Sequence, residues 1–202
     1  MTWWARRTET RRLRKELLRA FPSTAHAAAL PALKLVRPSG STPRGLIQGT
    51  WPAITFGGET LEVPGRIAVA FPRHRLEELA PLSRAAAGCI YTRHHDGYIR
   101  QRALHLALSQ DVAWSAPFLV QLLGEYVVEI STDVHEFLTG AAATHPTTVR
   151  GLQHFVEANP SFMELTRARA TSYWREYYCR RYWPMQEYPA IRALDQLEHG
   201  LD

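Results

Sequence analysis

At 202 residues, with 46% apolar and 21% charged residues, the chain is long enough to bury one substantial core and too ordinary in composition for wholesale disorder. No run approaches the 18 uninterrupted apolar residues of a spanning helix, and no apolar h-region follows the N-terminal arginines, so neither a membrane span nor a secretory signal is expected. The net charge of +5 is unevenly placed: residues 1–44 hold ten bases and two acids, while the remaining 158 residues hold 14 bases and 17 acids.

This asymmetry divides the chain into a basic N-terminal arm, residues 1–44, and a single helical domain, residues 45–202. In the arm, residues 8–21 read as a short helix with Leu13, Leu17, Leu18 and Phe21 on one face. Pro22 to Arg44 has no sustained period and reads as a linker. An arm of this kind can steer a protein to nucleic acid, lie on an anionic membrane, or dock on protein, and its narrow apolar face favours docking. Between residues 46 and 71, Ile54-Thr55-Phe56, Gly57-Gly58 and the run Glu59 to Val63 predict a β-hairpin, because paired glycines accept the positive φ angles of a primed turn. After Pro72 helices are expected at 75–91, 98–109, 116–139, 147–158, 161–183 and 189–199. Asp96 is placed to cap the second, Pro117 and Pro146 sit at helix starts, and Ser161 to Glu164 has capping-box spacing.

The run Asp96-Gly97-Tyr98-Ile99-Arg100-Gln101-Arg102-Ala103-Leu104 resembles the second-helix signature of HEAT-type repeats. In that family the Asp and Arg link neighbouring repeats and the small residue permits close helix approach. The resemblance therefore implies structural roles for Asp96 and Arg100. The interval between the pairs 75–91/98–109 and 116–139/147–158 is near the HEAT period of roughly 40 to 47 residues. The expected fold is mainly α: stacked antiparallel helix pairs forming a HEAT-like bundle, with a small N-terminal β-hairpin.

Three groups of residues invite a chemical reading. His94, His95 and Asp96 begin a metal or acid-base site if Glu125 and Glu129 of the 116–139 helix join them. The alternative is a turn whose histidines bond locally, beside an acidic helix face that pairs with Arg93, Arg100 or Arg102. The absence of His-Glu-x-x-His and Glu-x-x-His spacings favours that alternative. Residues 167–183 interleave five arginines with six aromatics, as single-stranded nucleic-acid binders do. Their i, i+4 spacing favours burial against a neighbouring helix instead. If the rings face solvent, Trp174, Arg175, Tyr178, Arg181 and Tyr182, with Glu125 and Glu129, are the residues a partner meets, since Tyr, Trp and Arg dominate interface hot spots.

No phosphate-binding glycine loop or nucleophile elbow is present. Cys89 and Cys179 lack partners at metal spacing and read as free thiols, which points to a reducing compartment. The expectation is a cytoplasmic, bacterial, non-enzymatic adaptor that binds a protein partner and needs no cofactor. A nucleic-acid binder using the arm and the aromatic helix is the first alternative, and a metal-dependent enzyme the second.

Overall fold

The computed structural model describes residues 3–38, 47–48 and 51–200. The chain comprises two compact units, residues 1–110 and 111–202. The protein is mainly α-helical, with small antiparallel β elements confined to the first unit.

The first unit opens with α1 (Trp3–Leu18), five residues earlier than its apolar spacing suggests. Leu13, Leu17, Ala20 and Phe21 are buried. The expected linker instead contains α2 (His26–Leu35); its stretch from 39 to 44 lies outside the described residues. Pro31 lies inside this helix and hides it from a local reading, since an interior proline costs about 3 kcal/mol. Tertiary burial outweighs that cost: Ala29, Ala32 and Leu33 form a buried stripe at helical spacing, and α2 packs on α4 (Pro81–Tyr91). Arg14 of α1 donates to Lys34 O at 2.7 Å and Val36 O at 3.1 Å, satisfying carbonyls that the end of α2 leaves open.

The hairpin forms as read, with β2 (Ile54–Phe56) antiparallel to β3 (Glu59–Leu61) and Ile54 opposite Leu61. Gly57 and Gly58 take φ of 59° and 79°, a turn conformation that side chains with a Cβ resist. A second pair joins β1 (Ile47–Gln48) to β4 (Arg66–Ile67). The helix expected over 75–91 is two: α3 (Arg73–Glu77) and α4. Pro81 opens α4, where its missing N–H costs nothing. A short loop then folds α5 (Gly97–Ala107) back on α4. Their contact is close: a Cβ on Gly88 meets Ala107 N, with Leu106 C at 2.7 Å and Ala103 O at 2.8 Å.

In the second unit, α6 (Ala116–Leu123) is buried at every residue and packs against α7 (Val128–Thr144), α8 (Pro146–Ala158), α9 (Pro160–Tyr173) and α10 (Pro189–His199). A helix apolar on every side but that of Gln121 belongs inside such a bundle. The helix expected over 116–139 is therefore broken, with Gly124–Val127 running between α6 and α7. The freed carbonyls find partners from the far end of the unit: Arg169 Nε donates to Gly124 O at 3.0 Å and the Tyr178 hydroxyl to Tyr126 O at 2.6 Å. Asp111 receives the Thr147 and Thr148 N–H groups at 3.0 and 2.7 Å, capping the start of α8 from outside the helix. Burial pushes the Asp111 carboxyl up, but these hydrogen bonds outweigh it and hold the group below the usual carboxylate range.

Candidate functional site

The His-His-Asp turn is stapled to the sheet of its own unit. His95 N donates to Ile67 O at 3.1 Å, and Ile67 N donates to Arg93 O at 2.8 Å. His94 is buried, with Nε2 2.9 Å from Val69 O and Nδ1 accepting the Asp96 N–H at 3.0 Å. The Asp96 N–H requires a bare Nδ1, so the proton sits on Nε2 and donates to Val69 O. Both ring nitrogens are thus engaged. Burial, opposed in part by the Val69 bond, lowers the pKa of His94, which keeps it neutral.

Asp96 caps α5 through Oδ1, which accepts from Tyr98 N at 2.9 Å. Arg100 is fully buried and donates through Nη1 to His94 O at 3.0 Å and His95 O at 2.9 Å. Arg93, also buried, donates to Pro64 O at 3.1 Å and Gly65 O at 2.5 Å. Arg100 holds carbonyls of the loop before its own helix, and Arg93 those of the segment just before β4. Among the described residues, no three His, Cys, Asp or Glu side chains are arranged to hold a metal ion. Glu125 lies in the break after α6 and is buried, whereas Glu129 is exposed on α7. The continuous acidic helix face expected over 116–139 therefore does not form.

The aromatic segment departs from its expected form in a more useful way. The helix expected over 161–183 ends as α-helix at Tyr173 and continues as one π turn, Trp174–Tyr178. No residue of that turn is buried. The burial expected from i, i+4 spacing is partial: Trp174, Tyr178 and Tyr182 are half-buried, while Tyr177 and Trp183 are exposed. The rings stack on one another. Tyr173 stacks with Tyr177, Trp174 with Trp183 at 5.9 Å, and Tyr178 with Tyr188 at 5.4 Å.

The cluster is layered. Tyr188 is fully buried at its base, and Tyr178 and Tyr182 are half-buried above it. Tyr177 and Trp183 form the outer surface, 64% and 75% exposed. Trp174 Nε1 donates to Tyr182 O at 2.7 Å, closing the loop, while Arg181 lies 5.2 Å over the Tyr182 ring. Arg175 and Arg180 are exposed beside them. Trp174, Tyr178 and Tyr182 thus carry much of the scaffold, while Arg175 and Arg181 face solvent with two residues the sequence reading did not select, Tyr177 and Trp183. A cleft of about 500 Å³ adjoins Tyr182 and Trp183, with His135, Arg181 and Arg192 also on its wall. Burial, and next the Arg192 charge, lower the pKa of His135.

Charge separates the two units. Residues 1–110 carry 17 bases and seven acids, a net of +10, and residues 111–202 carry seven bases and 12 acids, a net of −5. No helix is long and apolar enough to cross a membrane among the described residues. Comparison with protein-family profiles, with curated proteins and with solved structures finds no match, so the geometry above is what bears on function.

Proposed function

We propose that the protein is a non-enzymatic binding module of HEAT-like helical type, whose second unit engages a protein partner through the ring cluster around Tyr177 and Trp183. The observation that carries this reading is the exposure of two large aromatics on a rigid, self-stacked base, rimmed by Arg175, Arg180 and Arg181. Rings at the centre of a polar rim are the usual anatomy of an interface hot spot. The π turn and the anchored loop pre-order those rings, which lowers the entropy lost on binding.

Nucleic acid suits this face less well. Its rings are stacked pairwise, which leaves fewer open faces for bases, and the unit's net −5 repels a polyanion. The HEAT-like part of the proposal rests on the α4–α5 hairpin, where Gly88 and Ala103 permit close approach. Its Asp and Arg differ in action from the family pattern, serving one loop and one helix start. A cytoplasmic setting agrees with free Cys89 and Cys179.

The test is cross-linked capture from native cells with the wild type and with Tyr177→Ala/Trp183→Ala, followed by titration of the purified pair. A hot spot of about 2 kcal/mol corresponds to roughly 30-fold weaker binding. Equal affinity of the two proteins for every captured partner would contradict the proposal.

A further inference from the structure

The first unit offers a second surface, opposite in charge to the aromatic face. On α1, Arg7, Arg11 and Lys15 recur at i, i+4 and i+8 and are exposed, with Arg12 and Arg19 exposed beside them. Successive members of the row rise by about 6 Å, and the row spans about 12 Å. Leu13 and Leu17 on the same helix are buried, so α1 is held by its apolar side and presents its basic side on a fixed base. Arg14 is not part of the row, since it is turned to Lys34 O and Val36 O. Glu16 pairs with Arg12 at 2.8 Å and Glu62 with Arg19 at 3.4 Å, both solvent-exposed pairs worth little.

We infer that the basic row of α1 binds the phosphate backbone of nucleic acid, independently of sequence. Three features support a polyanion of this kind. The cations are spaced regularly along a straight element, the unit around them carries a net +10, and arginine pairs with phosphate in a planar fork. An anionic membrane is the weaker fit, because stable residence at a bilayer surface needs an apolar helix face, and here Leu13 and Leu17 are already covered. With phosphates contacted and no bases read, duplexes of different sequence bind alike.

The experiment is fluorescence anisotropy of the full chain with a labelled duplex of about 20 base pairs, from about 25 to 200 mM salt. Three or four phosphates neutralised give a log–log salt slope of about −3 to −4. Arg11→Glu/Lys15→Glu weakens binding at least tenfold, and the milder Arg11→Gln/Lys15→Gln flattens the slope by about 2. Both side chains are exposed, so an unchanged thermal midpoint accompanies the loss. Tyr177→Ala/Trp183→Ala leaves duplex binding unaltered, which separates this surface from the aromatic one. The inference is overturned by no binding at the lowest salt, by equal binding of the folded Arg11/Lys15 variants, or by capture on phosphatidylserine vesicles with none on the duplex.

Discussion

Gly88→Ala is the sharpest test of the helix pairing in the first unit, because two effects of opposite sign act at one atom. Helix propensity alone favours alanine over glycine inside α4 by about 1 kcal/mol. Packing opposes it. The added Cβ falls against Ala107 N, 2.7 Å from Leu106 C and 2.8 Å from Ala103 O, and all three are backbone atoms. No side chain can swing away, so α4 and α5 must separate by several tenths of an ångström or more. Overpacking of this kind costs typically 1–3 kcal/mol, and backbone on the facing side places it at the upper end. The expected net is a loss of about 2 kcal/mol, read as a lower midpoint in urea with unchanged m-value. Circular dichroism at 222 nm follows the transition. A Gly88→Ala protein as stable as the wild type, or more stable, would refute the close approach.

Four further outcomes follow from named contacts. Asp111→Ala removes two hydrogen bonds from the start of α8 and is expected to cost about 1 kcal/mol at neutral pH. Because its folded pKa is lowered, this contribution holds above the unfolded carboxylate range and fades as pH falls through the folded value, which urea titrations of both proteins at about pH 7 and pH 3 resolve. His94 titrates in the same sense: its pKa is lowered by burial, so stability is full above about pH 6.5 and falls as pH drops below it, and His94→Gln flattens the profile between about pH 7 and pH 5. Arg100→Met leaves the buried His94 carbonyl and the part-buried His95 carbonyl without this donor and is expected to lower stability by about 2 kcal/mol in the same urea assay. Native protein treated with iodoacetamide is expected to modify Cys179 before Cys89, since Cys89 is fully buried and its thiol pKa is pushed up, which peptide mapping reads directly.

Much of the helical layout was legible because helix boundaries are written in local chemistry. Asp96, Pro146 and the paired Gly57-Gly58 each mark an element boundary by a mechanism confined to neighbours in sequence, and each marks it in the structure. Where distant contacts decide, the reading fell short. The break after α6 follows a single glycine, but Arg169 and Tyr178, some fifty residues away, satisfy the carbonyls it frees. The interior Pro31 signalled a linker where burial on α4 makes a helix. The acidic row over 116–139 depended on unbroken periodicity, so it vanished with the break. Composition alone marks the aromatic segment as unusual. Its exposure was not legible, because i, i+4 spacing does not say whether another helix covers the rings, and here they pack largely on one another. Tyr177 and Trp183 carried no distinguishing local signal; their standing comes from the layer of rings beneath them.

The titration of a purified protein partner against wild type and Tyr177→Ala/Trp183→Ala bears most directly on the role assigned to the second unit. Loss of roughly 30-fold in affinity, with both proteins folded to the same thermal midpoint, is the outcome expected of an interface centred on those two rings. A partner that binds both proteins equally would place the working surface elsewhere on the molecule.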